Sequence, residues 1–332
     1  MKSRRRLVIG GVVLIGAVLF LITRPAGETV RVVIPQGATL SDVADSLSVR
    51  GVIRAPGAFR LYARMRRADR KLKAGTYDFV TGSSWRVALR RVTRGEVVTV
   101  PLTIPEGFRV AQMTERIAAV AGVSEEVVAE ALEGLELAAA LDVPGPSLEG
   151  YLFPDTYRFA QGVPVSFIAG VMAQRYRDVW TPDRLTRLEA SGMTQREVVT
   201  LASIIQAEAR VVEEMPRISG VYHNRLEAGW LLQADPTVLY ALGGYRERLL
   251  FAAIDSVQDN PYNTYSQRGL PPGPIGSPGA RAIDAALSPE EHDYMYFVAW
   301  PDGSHVFTRS LGEHNAARED ASRAREAGSN GS

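Results

Sequence analysis

Hydrophobic and polar positions recur along this chain with two different periods, which predicts a mixed α+β fold. Apolar residues spaced three and four apart predict helices at residues 40–50, 56–66, 110–121, 165–179, 194–208 and 216–228. Short alternating runs predict strands at residues 30–35, 76–80, 294–299 and 305–308. The last two strands flank Asp302-Gly303, a sequence typical of a hairpin turn.

The helix predicted at residues 194–208 carries the clearest candidate for chemistry. Thr194 and Glu197 have the spacing of a capping box at its start. Leu201, Ile204 and Ile205 share one side of the helix with Glu208. Because burial disfavours charge, a carboxyl on an apolar flank tends to keep its proton, as a general acid must. From this segment alone, a glutamate that reaches solvent or pairs with an arginine is an open alternative.

The N-terminus predicts a membrane anchor. Lys2 and three arginines precede the uncharged residues 7–23, which Arg24 closes. The positive-inside rule places residues 1–6 in the cytoplasm and the rest of the chain outside, as a single-pass protein of the inner (plasma) membrane. A cleaved signal peptide is the alternative, although residues 23–26 make a poor cleavage site.

The expected organisation has several parts. A tetrapeptide at residues 34–37, Ile-Pro-Gln-Gly, returns at residues 104–107 as Ile-Pro-Glu-Gly, which suggests two small β-plus-helix units. Chance similarity of two strand-to-helix turns is the alternative. The predicted parts are a cytoplasmic tail (1–6), a transmembrane anchor (7–23), a small β/α module (28–95), a second small β/α unit with a connection (96–160), a mixed α+β domain carrying Glu208 (161–318) and a frayed tail (319–332).

Composition excludes several function classes. The net charge of +1 gives no indication of nucleic-acid binding, and the absence of cysteine excludes disulfides, a thiol nucleophile and zinc-thiolate sites. The four histidines lack metal-ligand spacing, so neither a metal nor a cofactor is expected.

After residue 229 the chain is rich in loops that mix neutral polar and aromatic residues, a composition that suits an uncharged polyhydroxyl ligand. One strong acid suits cleavage of a glycosidic bond. Ordinary glycosidases need a second carboxylate, and Asp235 and Asp155 are the candidates. Each lies beside a proline in a turn, where aspartate is often structural.

Six motifs, in order, resemble the endolytic murein transglycosylases, the MltG or YceG-like family, from the anchor to about residue 318. They are Glu149-Gly-Tyr-Leu-Phe-Pro-Asp-Thr-Tyr157, Leu201-Ala-Ser-Ile-Ile-Gln-Ala-Glu208, Tyr222-His-Asn-Arg-Leu226, Leu232-Gln-Ala-Asp-Pro-Thr237, Pro261-Tyr-Asn-Thr-Tyr265 and Gly269-Leu-Pro-Pro-Gly-Pro274. The resemblance implies a single-pass membrane lyase with a LysM-like module at residues 28–95, before its catalytic domain. It implies cleavage of the β-1,4 bond between MurNAc and GlcNAc inside nascent peptidoglycan strands, leaving 1,6-anhydro-MurNAc ends. Peptidoglycan synthases of the elongation or division machinery are the expected partners.

The resemblance also implies roles for individual residues. Glu208 would act as the single general acid and base, because the C6 hydroxyl of the sugar is the nucleophile. The family usually has a second glutamate two positions earlier, where this chain has Gln206, and Ser277 stands where asparagine is common. The candidate substrate-binding residues are Glu149, Asn224, Gln233, Asp235, Thr237, Tyr262, Asn263 and Tyr265. For Gln233, Tyr262 and Asn263, loop-stabilising hydrogen bonds are an equal alternative. Two other functions stay open: a catalytically degenerate glycan-binding scaffold of the cell-wall machinery, and a hydrolysing muramidase.

Overall fold

The computed structural model describes residues 27–244 and 251–329, which form helices and three two-stranded sheets. The predicted mixed α+β class is confirmed. The described chain divides into two compact units. Unit 1 comprises the residues up to Pro101 together with Arg158–Val163, and unit 2 comprises Leu102–Tyr157 and the residues from Pro164 onward. The predicted cytoplasmic tail (1–6) and anchor (7–23) lie outside the described residues.

Unit 1 is built on an antiparallel strand pair. Strand β1 (Thr29–Ile34) pairs with β2 (Gly75–Val80), and helices α1 (Leu40–Val49) and α2 (Pro56–Met65) lie between them in the chain. Helix α3 (Trp85–Arg94) follows β2. The inward side chains of both strands pack with the apolar faces of these helices, among them Val32, Ile34, Leu47, Phe59, Tyr77 and Phe79. The strands and helices predicted for this region are confirmed.

The repeated tetrapeptide forms the same turn in both places. Gly37 and Gly107 each have φ of 79°, in the left-handed region that glycine adopts without steric cost. Two residues later, Thr39 and Arg109 are the N-caps of the helices that follow. The recurrence in the sequence therefore corresponds to a recurrent strand-to-helix connection.

Strand β3 (Thr99–Thr103) pairs with β4 (Thr156–Ala160). The helices that follow β3 in the chain are α4 (Val110–Ala121), α5 (Glu125–Glu133), α6 (Leu135–Ala140), α7 (Val165–Val179), α8 (Pro182–Ser191), α9 (Gln195–Glu208), α10 (Met215–Glu227), α11 (Asp235–Ala241), α12 (Phe251–Asp255), α13 (Ala280–Leu287) and α14 (Leu311–Ser329). A short 3₁₀ helix, Val212–Glu214, leads into α10.

Helix α9 lies at the centre of unit 2. Every residue from Val198 to Ile205 is buried, and the helix packs against α10, α11 and α13. The predicted capping box is confirmed, with Thr194 and Glu197 each accepting a hydrogen bond from the other's backbone N–H group. A helix buried on nearly all sides holds its C-terminal residue, Glu208, in a fixed place.

The C-terminal region contains a hairpin and a helix. Strands β5 (Tyr296–Ala299) and β6 (His305–Thr308) pair antiparallel, which confirms the predicted hairpin. The sequence predicted fraying from residue 319, but α14 continues to Ser329. Its alanine, glutamate and arginine residues favour helix, and Ala317 and Ala321 are buried. Among the described residues, no helix combines the length and the apolar content that a membrane crossing requires.

Candidate active site

The carboxyl of Glu208 is fixed by a tyrosine from the next helix. The hydroxyl of Tyr222, on α10, donates to Oε1 of Glu208 at 3.0 Å. Tyr222 is itself buried, and its ring meets that of Phe297 edge-on with centroids 5.8 Å apart. Burial raises the pKa of Tyr222 well above its ordinary value, so the phenol stays protonated and serves as a donor.

Glu208 is adapted to hold a proton near neutral pH. Burial, and then the negative charge of Asp235, raise the pKa of Glu208 from 4.5 to about 7. The hydrogen bond from Tyr222 and the positive charge of Arg225 act in the opposite direction. Glu208 as a whole residue is half-buried. The site therefore presents a carboxyl that keeps its proton to a higher pH than an ordinary glutamate does.

Asp235, the first residue of α11, supplies the second acidic group of the site. The hydroxyl of Tyr265 donates to its Oδ1 at 2.5 Å. The Asp235 side chain is exposed, and that of Tyr265 is half-buried. The structure therefore brings Asp235 and Tyr265, two of the predicted substrate-binding residues, together beside Glu208.

The turn before α11 is held by a threonine that the sequence analysis did not single out. Thr264 accepts the N–H of Gln233 at its carbonyl (3.0 Å) and the N–H of Ala234 at its hydroxyl (2.9 Å). Its hydroxyl also lies 2.9 Å from that of Thr237, and both threonines are buried. Thr237 therefore stabilises the turn before α11 from within the protein. Gln233 has φ of 48°, which turns the chain here and leaves its own side chain exposed.

Two predicted asparagines also bond to the backbone. The amide nitrogen of Asn263 donates to the carbonyls of Ile254 (2.9 Å) and Val257 (3.1 Å), and its Oδ1 accepts the N–H of Tyr265 at 3.0 Å. Asn263 therefore positions Tyr265, and through it Asp235.

Asn224 acts in a similar way. Its amide nitrogen donates to the carbonyls of His292 and Tyr294, each at 2.9 Å, which ties α10 to the segment before β5.

Glu149 and Tyr262 lie beside a different residue, Tyr240, near the C-terminal end of α11. Both oxygens of Glu149 accept the N–H of Val110, at 3.1 and 3.4 Å, and the ring of Tyr262 lies 4.8 Å from that of Tyr240. The Arg109 guanidinium stands over the same ring at 5.0 Å. Burial raises the pKa of Glu149 to about 7, whereas the hydrogen bond from the Val110 N–H and the positive charge of Arg109 lower it.

Arg225 is a site residue that the sequence analysis missed. It is buried, and it donates from Nε to the carbonyl of Met295 at 2.8 Å and from its terminal nitrogen to the carbonyl of Leu232. It follows Tyr222 by three positions, so both side chains point the same way from α10. The motif at residues 222–226 contains Arg225, but nothing in the sequence shows that its side chain is buried.

The other positions noted in the sequence have structural contacts. Oε1 of Gln206 accepts the N–H of Gly279 at 3.0 Å, at the start of α13. Asp155 forms an ion pair with Arg175 at 2.8 Å, which lowers its pKa and ties it to α7. Within residues 27–244 and 251–329, no group of three or more histidine and acidic side chains could hold a metal ion.

Comparison with known proteins identifies the family. A family model described as "YceG-like family" matches residues 32–320. The endolytic murein transglycosylase of Bacillus subtilis (strain 168) is 31% identical over 331 residues, covering 94% of this chain and 91% of that protein. The protein of the same name from Streptococcus pneumoniae serotype 2 is 30% identical over 299 residues, covering 81% of this chain and 54% of the relative.

A solved structure agrees with these matches. The crystal structure of a putative yceG-like protein from Listeria monocytogenes superposes with a TM-score of 0.60 at 32% identity, covering 88% of this chain and 100% of that chain. The motifs, the fold and these relatives lead to one conclusion: the chain belongs to the YceG-like family.

Proposed function

We propose that this protein is a peptidoglycan lytic transglycosylase that cleaves the MurNAc-β-1,4-GlcNAc bond inside glycan strands. The observation that carries the proposal is the carboxyl of Glu208, which is held by the Tyr222 hydroxyl and whose pKa is raised by burial to about 7. The names of the relatives, endolytic murein transglycosylases, support the substrate class.

The reaction needs one carboxyl that first gives and then regains a proton. Glu208 protonates the glycosidic oxygen as the bond from C1 of MurNAc breaks, and GlcNAc leaves with a free hydroxyl. The C6 hydroxyl oxygen of the same MurNAc then bonds to C1, and its proton passes to the Glu208 carboxylate. The product is 1,6-anhydro-MurNAc. No water is consumed, and Glu208 ends the cycle protonated.

The hydrogen bond from Tyr222 suits both halves of this cycle. A phenol donor that binds only one oxygen of Glu208 leaves the other oxygen for the substrate. The same donor stabilises the carboxylate that exists between the two proton transfers, because hydrogen bonds to charged acceptors are the stronger ones.

Digestion of peptidoglycan in ¹⁸O-labelled water tests the proposal. We expect 1,6-anhydro-MurNAc ends without label, detected by mass spectrometry, and cleavage that survives EDTA. Labelled reducing ends would show a hydrolysing muramidase. Binding of glycan strands without any cleavage would show a degenerate scaffold.

We further propose that residues 7–23 anchor the enzyme in the inner membrane with the catalytic part outside the cytoplasm. The basic residues before an uncharged run support this proposal. Mass spectrometry of the membrane-extracted protein should find residues 1–24 present, whereas a mature N-terminus near Ala26 would contradict it. The β1-α1-α2-β2 order in unit 1 supports a LysM-like module at residues 28–95.

A further inference from the structure

Asp235 is placed to do more than bind a sugar hydroxyl. One of its oxygens, Oδ1, is held by Tyr265 at 2.5 Å. Its other oxygen accepts no side-chain or backbone hydrogen bond within residues 27–244 and 251–329, and the side chain is exposed. The negative charge of this side chain acts on Glu208. The site therefore holds a fixed negative charge with one oxygen open to a ligand.

The groups facing Glu208 come from three elements. Helix α10 contributes the Tyr222 hydroxyl and the Arg225 guanidinium, α11 contributes Asp235, and the loop after α12 contributes Tyr265. Contacts place these elements together: α9 packs against α11, and Arg225 donates to the carbonyl of Leu232, three residues before Asp235. Asp235 acts electrostatically on Glu208, on Tyr222 and on Tyr265. Asp235 is the one carboxylate among these neighbours, so its charge opposes ionisation of Glu208 while Arg225 favours it.

Cleavage through an oxocarbenium-like transition state creates positive charge at C1 and the ring oxygen. Glu208 enters the reaction protonated, so it offers no full negative charge at the moment that this charge develops. A preorganised anion nearby stabilises such a transition state more than it stabilises the neutral ground state.

We propose that Asp235, oriented by Tyr265, is the anionic partner of Glu208 and stabilises the positive charge at the anomeric carbon. Its charge also favours the protonated form of Glu208 before the reaction. The inference rests on the proposed function, which assigns Glu208 as acid and base. Asp235 takes no proton and forms no bond in this scheme, so atoms and charges balance as they do with Glu208 alone. Tyr265 is a positioning residue that acts through Asp235.

The test is Asp235→Asn in the full chain. Asparagine keeps the size of the side chain and can still accept the Tyr265 hydrogen bond, but it lacks the charge. We expect cleavage to fall about 100-fold, the scale measured for loss of one electrostatic stabiliser. We also expect the alkaline limb of the pH–rate profile to move to lower pH, because Glu208 ionises more easily without the neighbouring anion. The ¹³C chemical shift of the Glu208 carboxyl, followed through a pH titration, reports the same change without any need for activity.

Two further variants sharpen the test. Asp142→Asn removes one negative charge from an exposed residue of unit 2 with φ of 50°, a conformation that asparagine tolerates, and should leave the rate and the pH profile unchanged. Tyr265→Phe leaves the Asp235 charge but removes its hydrogen bond, and should lower the rate about tenfold.

The inference is overturned if Asp235→Asn folds, cleaves within twofold of wild type and keeps the Glu208 titration of Asp142→Asn. If Asp235→Asn does not fold, an unchanged rate in Tyr265→Phe overturns it instead. Labelled reducing ends from the wild type would contradict the proposed function. The titration of Glu208 in Asp235→Asn tests the inference separately, because it needs no activity.

Discussion

At the scale of single residues, the site depends on the carboxyl of Glu208, whose pKa is raised by some neighbouring groups and lowered by others. Burial and Asp235 favour the protonated form of Glu208, whereas Tyr222 and Arg225 favour the ionised form. The balance places its pKa at about 7, where a group can both give and regain a proton readily. Single substitutions around Glu208 should therefore change activity mainly through its proton.

Glu208→Gln should abolish cleavage while the protein stays folded. Glutamine is nearly isosteric and can still accept the Tyr222 hydrogen bond, but it has no proton to give. We expect a loss of at least about 1,000-fold, within the range for a lost general acid. The release of soluble fragments from peptidoglycan measures the rate.

Glu189→Gln, the same change at an exposed position on α8, is the matched control and should retain full activity. Gln206→Glu should change the rate little, because a carboxylate oxygen can also accept the Gly279 N–H. A Glu208→Gln protein that still solubilised peptidoglycan at the wild-type rate would show that another residue is the acid.

At the scale of elements, the sequence predicted long periodic helices well and short ones poorly. Helices α4 and α7 begin and end where the apolar period predicts, because each has a continuous buried face. Asp235-Pro236 was interpreted as a turn, but it begins α11, since proline is compatible with the first turn of a helix. Seven residues are too few to show a period, so α11 was not predicted.

The site residues likewise divide into those that the sequence predicted and those that only the structure shows. Glu208, Asp235 and Tyr265 were selected from motifs in the sequence, and the structure places them together. Other features of the site depend on which helices and loops become neighbours. They are the hydrogen bond from Tyr222, the charge of Arg225 and the hydrogen bonds that Thr264 makes to the turn before α11. No local pattern contains that information, because each of these contacts joins residues from different elements.

Two helical glycines should respond in opposite ways to alanine. A Cβ on Gly220, in α10, would overlap the carbonyl oxygen of Glu290 and lie 2.6 Å from Nε2 of His292. Because the backbone at Glu290 cannot move without displacing the segment before β5, Gly220→Ala should destabilise the protein by about 1–3 kcal/mol, as overpacking does. Activity should fall as well, since α10 carries Tyr222.

Gly170→Ala, in α7, is the matched control. Its nearest contact would be Cδ2 of Leu141 at 3.7 Å, an ordinary van der Waals distance. Alanine in a helix interior is favoured over glycine by about 0.5–1 kcal/mol, so this variant should be slightly more stable than wild type. Thermal unfolding of both variants measures the difference. Equal midpoints would mean that α10 does not pack as closely as described.

At the scale of the whole molecule, two carboxyls of the described residues have raised pKa values, which link folding to pH. Glu149 and Glu208 both have pKa values of about 7, against 4.5 for an ordinary glutamate. Between those values the folded state binds more protons than the unfolded state, so stability falls as pH rises. Asp155 and Glu197 have lowered pKa values because of ion pairing or hydrogen bonding. Their contribution to stability rises with pH instead, and it does so at lower pH than the range above.

Glu149→Gln isolates this linkage, because the groups that act on the pKa of Glu149 differ from those that act on Glu208, and the glutamine carbonyl can accept the Val110 N–H. One unit of pKa difference corresponds to about 1.4 kcal/mol, so the rise from 4.5 to about 7 means that ionised Glu149 costs on the order of 3 kcal/mol. Relative to wild type, the variant should therefore gain that much stability between pH 4.5 and pH 8, measured by urea unfolding of the full chain in detergent. Glu130→Gln, an exposed change on α5, should follow the wild type throughout. If the difference between Glu149→Gln and wild type were the same at both pH values, Glu149 would titrate like an exposed glutamate, and its burial against Val110, Arg109 and Tyr240 would not hold in solution.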